Sequence, residues 1–158
     1  MLMDGEIDAL YTARMPSSFL NGSGKVKRLF EDYEKVERNY FKETKMFPIM
    51  HTVAIRRSLY ETNRWIARSM MKALEEAQRR AYEDLYETAA LKTMLPWLTS
   101  HVEQVKAEMG NDYWPYGFEK NQTTLSTFLR YHFEQGLSKR LLTPQELFAP
   151  ETMEAFVI

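Results

Sequence analysis

The hydrophobic positions along the chain change their spacing between the front and the remainder of the sequence. Near the front, short apolar runs lie at Ile7–Tyr11 and Thr52–Ile55. Runs of this length, rich in β-branched and apolar residues, are typical of short buried strands. Val26–Phe30 predicts a further short extended segment. We therefore expect a small sheet in the front part of the chain.

From residue 58 onward the apolar residues recur at helical spacing. A long amphipathic helix is predicted to begin after a cap at Thr62 or Asn63, because Ile66, Met70 and Leu74 lie on one of its faces. The other predicted helices lie at 32–42, at 100–110 behind a capping box formed by Ser100 and Glu103, at 123–135 before Gly136, and from Thr143 and Pro144 onward.

These patterns predict an α/β chain with a small sheet at the front and a mainly helical carboxy-terminal half. The predicted division is 1–57, the end of an α/β lobe with its strands, and 58–158, a helical part that packs on it. Gly5 is typical of a helix C-cap, yet almost no sequence precedes it. We expect that roughly the first half of the fold is missing from this chain.

Composition narrows the class of protein. Hydrophobic residues make up 44% of the 158 residues and charged residues 27%, which is the balance of a globular protein. The 21 basic and 22 acidic side chains nearly cancel, which argues against nucleic acid or an anionic membrane as a partner. Apolar runs are too short to span a bilayer and no signal peptide is visible, so we expect a cytoplasmic protein. The absence of cysteine excludes disulfides and thiolate chemistry.

A candidate ligand-binding segment follows the first predicted strand. Thr12, Arg14, Ser17 and Ser18 combine a guanidinium with three hydroxyl groups. Such a set suits a carboxylate ligand, and open α/β sheets bind ligands at the ends of their strands. The alternative is a polar loop whose serines only form turns. We predict that these four residues bind substrate.

The three histidines differ in their positions. His101 and His132 lie in predicted helices, and the spacing of the three predicts no metal site. His51 precedes the second predicted strand, where an imidazole that titrates near neutral pH could move a proton. A structural imidazole is the alternative. We predict that His51 is catalytic and that it faces one concavity together with Arg14.

Three further motifs have simpler interpretations. Gly22–Lys25 resembles a phosphate loop, but Val26 stands where a hydroxyl should bind magnesium, so a turn is predicted. Tyr113–Phe118 contains four aromatic residues, which could cover a ring-shaped ligand or form a hydrophobic plug between two helices. Arg79 and Arg80 are interpreted as solvated charges or packing stems.

Four segments together resemble the 4,5-dihydroxyphthalate decarboxylase family. They are GEIDALYTARMPSSF, FPIMHTVAIRR, AYEDLYETAALKTMLPWL and LLTPQELFAPETMEAF. The resemblance covers essentially the whole chain and corresponds to the carboxy-terminal half of the family's usual length. It implies a partial, two-lobed fold of the periplasmic-binding-protein type (type II), similar to the substrate-binding proteins of ABC transporters for thiamine precursors.

The resemblance also implies a function. It predicts decarboxylation of 4,5-dihydroxyphthalate to 3,4-dihydroxybenzoate in phthalate breakdown, without a cofactor. The alternative is a non-catalytic substrate-binding protein that delivers an aromatic or pyrimidine-like ligand to a transporter. The expected partners are a small aromatic dicarboxylate and the missing amino-terminal half, and a homo-oligomer is compatible with both functions. The chain alone is expected to be inactive and to associate.

Overall fold

The computed structural model describes residues 1–153, which are helical and irregular. The contacts within the chain divide it into two units, Met1–Lys45 and Met46–Ile158. The predicted functional division after residue 57 stays a prediction, and residues 154–158 lie outside the described part. The helices are α1 (Ser17–Leu20), α2 (Tyr33–Thr44), α3 (Arg57–Thr62), α4 (Trp65–Asp84), α5 (Leu98–Met109) and α6 (Gln122–Glu134), with 3₁₀ turns at Glu119–Asn121, Pro144–Glu146 and Pro150–Thr152.

The predicted sheet is wrong. Residues 1–153 contain no strand, and Ile7–Tyr11, Val26–Phe30 and Thr52–Ile55 are irregular. A strand is stable only when its backbone N–H and C=O groups pair with a neighbouring strand. None of these segments finds such a neighbour, and Tyr11 and Val53 are exposed to solvent. The α/β, periplasmic-binding-protein-like assignment is therefore contradicted for this chain.

Most of the predicted helices are confirmed. Helical periodicity and capping residues act within a few positions of the sequence, so they can be recognised without the fold. Asp32 caps α2, where its carboxylate accepts a hydrogen bond from the Lys35 N–H (3.3 Å). Gly110 follows the last residue of α5. At the helix start predicted at Thr143 and Pro144, Thr143 and Glu146 form a capping box, although only a 3₁₀ turn follows it. No described helix is long and apolar enough to cross a membrane.

The beginning of α5 differs from the prediction. This helix starts at Leu98, with Trp97 as its N-cap, so the Ser100–Glu103 capping box is wrong. Trp97 has φ +57°, in the left-handed region. That backbone conformation turns the chain into the helix three residues earlier than the capping motif indicates. Similarly, α4 begins at Trp65 behind Arg64 instead of directly after Thr62 or Asn63.

In the second unit, the buried apolar side chains come from α4, α5, α6 and the loop before α6. The buried hydrophobic side chains of the described residues are Ala67, Val102, Phe118, Leu125 and Leu129. Phe118 also packs edge-on against Phe148, with ring centroids 5.8 Å apart.

The loop between α5 and α6 approaches α4 at Gly117. This residue has φ +98°, and a Cβ atom there would lie 3.4 Å from Cε of Met71. Glycine is therefore the residue that suits the position. The Asn121 side chain holds the same loop, because its amide donates hydrogen bonds to the carbonyl oxygens of Pro115 (2.9 Å) and Gly117 (2.8 Å).

In the first unit, the side chain of Arg28 joins the two helices. Its guanidinium lies 5.4 Å from the ring centroid of Phe19 in α1 and 4.4 Å from that of Tyr33 in α2. Cation–π contacts of this kind hold a guanidinium against aromatic faces without a buried carboxylate. Neither α1 nor α2 contributes a buried residue.

Candidate functional site

The predicted substrate-binding residues of the first unit lie in one loop and the short helix after it. The hydroxyl of Thr12 accepts a hydrogen bond from the N–H of Arg14 (3.2 Å) and donates one to the carbonyl of Arg14 (3.1 Å). This turn holds the backbone at Arg14 and leaves its side chain exposed. Ser17 and Ser18 form the first residues of α1. The four residues are thus neighbours in a single local structure.

His51 lies in the second unit, in the irregular segment before α3. The residue is exposed to solvent. Arg14 lies in the first unit. A common concavity for Arg14 and His51 stays a prediction.

A groove in the second unit supplies a different candidate site. The space of about 600 Å³ lies between the end of α4, α5 and the loop after α5. We call it the tyrosine groove, because three of its lining residues carry phenol rings. It is lined by Arg79, Tyr82, Glu83, Tyr86, Lys106, Asn111 and Tyr113.

Helical spacing explains how α4 supplies one wall of the tyrosine groove. Residues 79, 82 and 83 lie three or four positions apart on one face of α4, and Tyr86 follows in the turn after the helix ends at Asp84. The opposite wall comes from Lys106 of α5 and from Tyr113 in the following loop. Tyr82 and Tyr113 touch across the groove, with ring centroids 4.8 Å apart. The Tyr82 hydroxyl also accepts a hydrogen bond from the Trp114 N–H (3.1 Å), which fixes the loop against α4.

The hydroxyls of Tyr82 and Tyr113 are kept in their neutral form. Desolvation is the main cause that raises the pKa of Tyr82 and also that of Tyr113. Phenols with a raised pKa stay protonated at neutral pH, so they can donate hydrogen bonds to an anion. They do not serve as general bases under those conditions.

The two cationic side chains of the groove, Arg79 and Lys106, have different partners. Arg79 forms ion pairs with Glu76 (2.8 Å) and with Glu83. Hydrogen bonds from Arg79 and Arg80 lower the pKa of Glu76 to about 2. Lys106 lies with its ammonium 5.0 Å from the ring centroid of Tyr86. Hydrogen bonding to Tyr86 is the main cause that raises the pKa of Lys106, so the ammonium stays charged.

The Tyr86 hydroxyl connects the turn after α4 to α5. It lies 2.7 Å from the Glu103 carboxylate, to which it donates a hydrogen bond. The groove therefore combines aromatic faces, neutral hydroxyl donors and a lysine, which are suited to bind a planar ring that carries an acid group. Among residues 1–153, no cluster of three or more His, Asp or Glu side chains could hold a metal ion.

The sequence pattern did not indicate the groove. Arg79 was interpreted as a solvated charge or a packing stem. In the segment Tyr113–Phe118, Phe118 is buried in the core, as expected for a hydrophobic plug, and Tyr113 lines the groove. That this segment covers a ligand stays a prediction. The four-residue spacing of Tyr82, in α4, and Tyr86, in the turn after it, was the one signal that could have indicated an aromatic wall.

Comparison with known proteins supports the resemblance seen in the motifs. No protein-family model matches the chain. The chain is 39% identical, over all of its 158 residues, to the 4,5-dihydroxyphthalate decarboxylase of Comamonas testosteroni. It spans 48% of the length of that protein, which is consistent with a match to one half. The predicted relationship is thus confirmed, and the chain is similar over its whole length to about half of a 4,5-dihydroxyphthalate decarboxylase.

Proposed function

We propose that this chain is part of an enzyme that converts 4,5-dihydroxyphthalate to 3,4-dihydroxybenzoate and carbon dioxide. The observation that carries the proposal is the 39% identity, across the whole chain, to a protein with that named activity. Since the chain spans 48% of that protein, the proposed active form also contains a counterpart of the other half.

The chemistry needs a proton donor and anion-binding groups. Direct loss of carbon dioxide from an aromatic ring would leave an unstable aryl anion. In this substrate a hydroxyl lies para to each carboxylate, and its ionisation places electron density on the ring carbon that carries that carboxylate. A general acid then protonates this carbon, and the bond to the carboxylate breaks. Its electron pair restores the aromatic ring as carbon dioxide leaves. No cofactor is required by this route.

We assign these roles to the residues predicted from the sequence. Arg14, with the hydroxyls of Thr12, Ser17 and Ser18, binds a substrate carboxylate, and His51 transfers the proton. The assignment is supported by the turn that joins Thr12 to Arg14 and by the exposure of the Arg14 and His51 side chains. The tyrosine groove is a second place where an aromatic acid can bind.

The test is an assay of the chain together with a polypeptide that corresponds to the unmatched part of the Comamonas protein. The mixture is incubated with 4,5-dihydroxyphthalate, and 3,4-dihydroxybenzoate is followed by chromatography. We expect Arg14→Gln and His51→Gln each to lower kcat/KM by about a hundredfold or more. The matched controls Arg57→Gln and His101→Gln, at exposed positions, should leave it unchanged.

The outcomes separate the candidate functions. Product formation that depends on Arg14 and His51 supports the proposed site. Product formation that instead depends on Lys106 and Tyr86 moves the site to the tyrosine groove. Binding of the dicarboxylate without any product contradicts the enzyme and favours a binding protein for an aromatic or pyrimidine-like ligand.

A further inference from the structure

The segment between α4 and α5 exposes an unusual amount of apolar side chain. Leu91 is 66% exposed, Met94 98%, Leu95 49% and Trp97 81%. These four residues lie within seven positions of the sequence. We call Leu91–Trp97 the apolar loop.

Both ends of the apolar loop are anchored. On the α4 side, the Glu87 carboxylate accepts hydrogen bonds from the backbone N–H groups of Ala89 (2.8 Å) and Ala90 (3.2 Å). On the α5 side, the Trp97 carbonyl accepts the hydrogen bond from the His101 N–H (3.1 Å) that opens the helix. The exposed side chains are therefore presented from a loop with two defined ends.

The backbone of Trp97 adds a second observation. Its φ of +57° places a bulky residue in the left-handed region. That conformation costs roughly 1–2 kcal/mol for a residue with a Cβ atom. Backbone strain of this kind persists where the surrounding structure or a function requires it. The Trp97 side chain makes no capping hydrogen bond that would explain the strain.

The exposed apolar area is large for a surface that faces water. With about 200 Å² for each large side chain, the four residues expose on the order of 600 Å². That area lies at the upper end of the range, about 300–600 Å², for the largest apolar patch on a typical monomer. Two copies of the loop pressed together would bury about 1,200 Å², which is the lower limit for a stable interface. The apolar loop is thus better suited to one part of a larger, permanent interface.

We propose that the apolar loop docks onto the polypeptide that corresponds to the half of the decarboxylase that this chain does not match. The chain spans 48% of its relative, and the unmatched half of that protein is long enough to cover the loop. Permanent interfaces are more hydrophobic than transient ones, in agreement with the composition of the loop. The inference rests on the proposed function only in that both depend on the same relative.

The experiment measures association without substrate. The tagged chain is co-expressed with the unmatched half of the Comamonas protein, and copurification and affinity are compared among variants. We expect the double variant Met94→Glu with Trp97→Glu to weaken association at least tenfold. The matched control Leu29→Glu, at a site 88% exposed in the first unit, should weaken it less than threefold. Unchanged far-ultraviolet circular dichroism would show that the variants keep their helices.

Three results would overturn the docking surface. They are failure of the wild-type chain to copurify with the other half, equal binding by the double variant, and an ordered homodimer that the double variant alone converts to monomer. The last result would identify a second copy as the occupant. A complex that forms as expected but makes no 3,4-dihydroxybenzoate would leave the docking surface intact and contradict the proposed function.

Discussion

Trp97 and Lys45 are the two non-glycine residues with positive φ among residues 1–153, and they occupy opposite ends of helices. Lys45 ends α2, where its N–H bonds to the Phe41 carbonyl in a common form of helix termination. Trp97 is the N-cap of α5, a position where serine, threonine, aspartate or asparagine is usual. A tryptophan in this place is not explained by helix formation, so its side chain is the feature to test.

Replacement of Trp97 should make the isolated chain more stable. Asparagine tolerates the left-handed region and is a good N-cap, so Trp97→Asn should raise the free energy of unfolding by about 1 kcal/mol. Urea denaturation measures the change. The control Met94→Asn, at a side chain 98% exposed, should stay within about 0.5 kcal/mol of the wild type. A loss of stability in Trp97→Asn would show that the indole already makes contacts within this chain.

At the scale of elements, long-range contacts decide which helices meet. The turn at Pro150–Thr152 packs on α4. Next to it, the Tyr60 hydroxyl donates a hydrogen bond to the Glu151 carboxylate (2.6 Å), and Arg64 lies 3.5 Å from the same carboxylate. Residues 60 and 151 are far apart in the sequence, so this contact joins the start of the second unit to the end of the described chain.

The contact between Tyr60 and Glu151 should make stability depend on pH. The hydrogen bond from Tyr60 is the main cause that lowers the pKa of Glu151 below its ordinary value of 4.5. A carboxylate with a lowered folded-state pKa contributes stability above the unfolded value, and that contribution is lost as the pH falls through the folded value. Tyr60→Phe should therefore be less stable than the wild type at pH 7, and the difference should shrink below about pH 4.5.

The measurement is urea denaturation of both proteins from pH 7 to pH 3. Thr62→Val serves as the control, because the Thr62 hydroxyl bonds to the Ser58 and Leu59 carbonyls and to the Asn63 side-chain amide, none of which titrates in this range. A difference between Tyr60→Phe and wild type that is constant across this range would contradict the assigned role of Glu151.

Helix α6 carries apolar side chains on two faces. Leu125 and Leu129 are buried, 7% and 4% exposed, whereas Phe128 is 57% exposed. Leu129→Ala should lower the free energy of unfolding by about 2–5 kcal/mol, because it removes buried methyl groups and leaves a cavity. Phe128→Ala, on the same helix, should cost less than about 1 kcal/mol. Chemical denaturation compares the two, and equal losses would mean that the exposed face of α6 is also packed.

At the scale of the whole molecule, few of the apolar side chains among residues 1–153 are buried, and many are exposed to solvent. Five hydrophobic side chains are buried among residues 1–153, while large apolar residues such as Leu29, Met94 and Trp97 are more than 80% exposed. Apolar patches of this kind mark surfaces that other polypeptides cover, or sites of aggregation. This balance agrees with a chain that spans 48% of its relative.

We predict that the chain expressed alone has no decarboxylase activity and associates through several surfaces at once. The reason is that its exposed apolar residues lie in both units, so no single variant should disperse the associates. Light scattering after size-exclusion chromatography measures the mass, and the assay with 4,5-dihydroxyphthalate measures activity. A monodisperse monomer that forms 3,4-dihydroxybenzoate as fast as the Comamonas enzyme would contradict this prediction.

The amino-acid sequence by itself determined most of the helices and the relationship to the decarboxylase. Helical periodicity and the caps at Asp32 and Gly110 act within a few residues, so they can be recognised without the fold. Only the tertiary structure decided the rest. The segments at Ile7–Tyr11 and Thr52–Ile55 have the composition of strands, but a strand forms only when a distant segment pairs with it. The tyrosine groove likewise depends on how the end of α4, α5 and the following loop come together, because residues 82, 106 and 113 become neighbours only there.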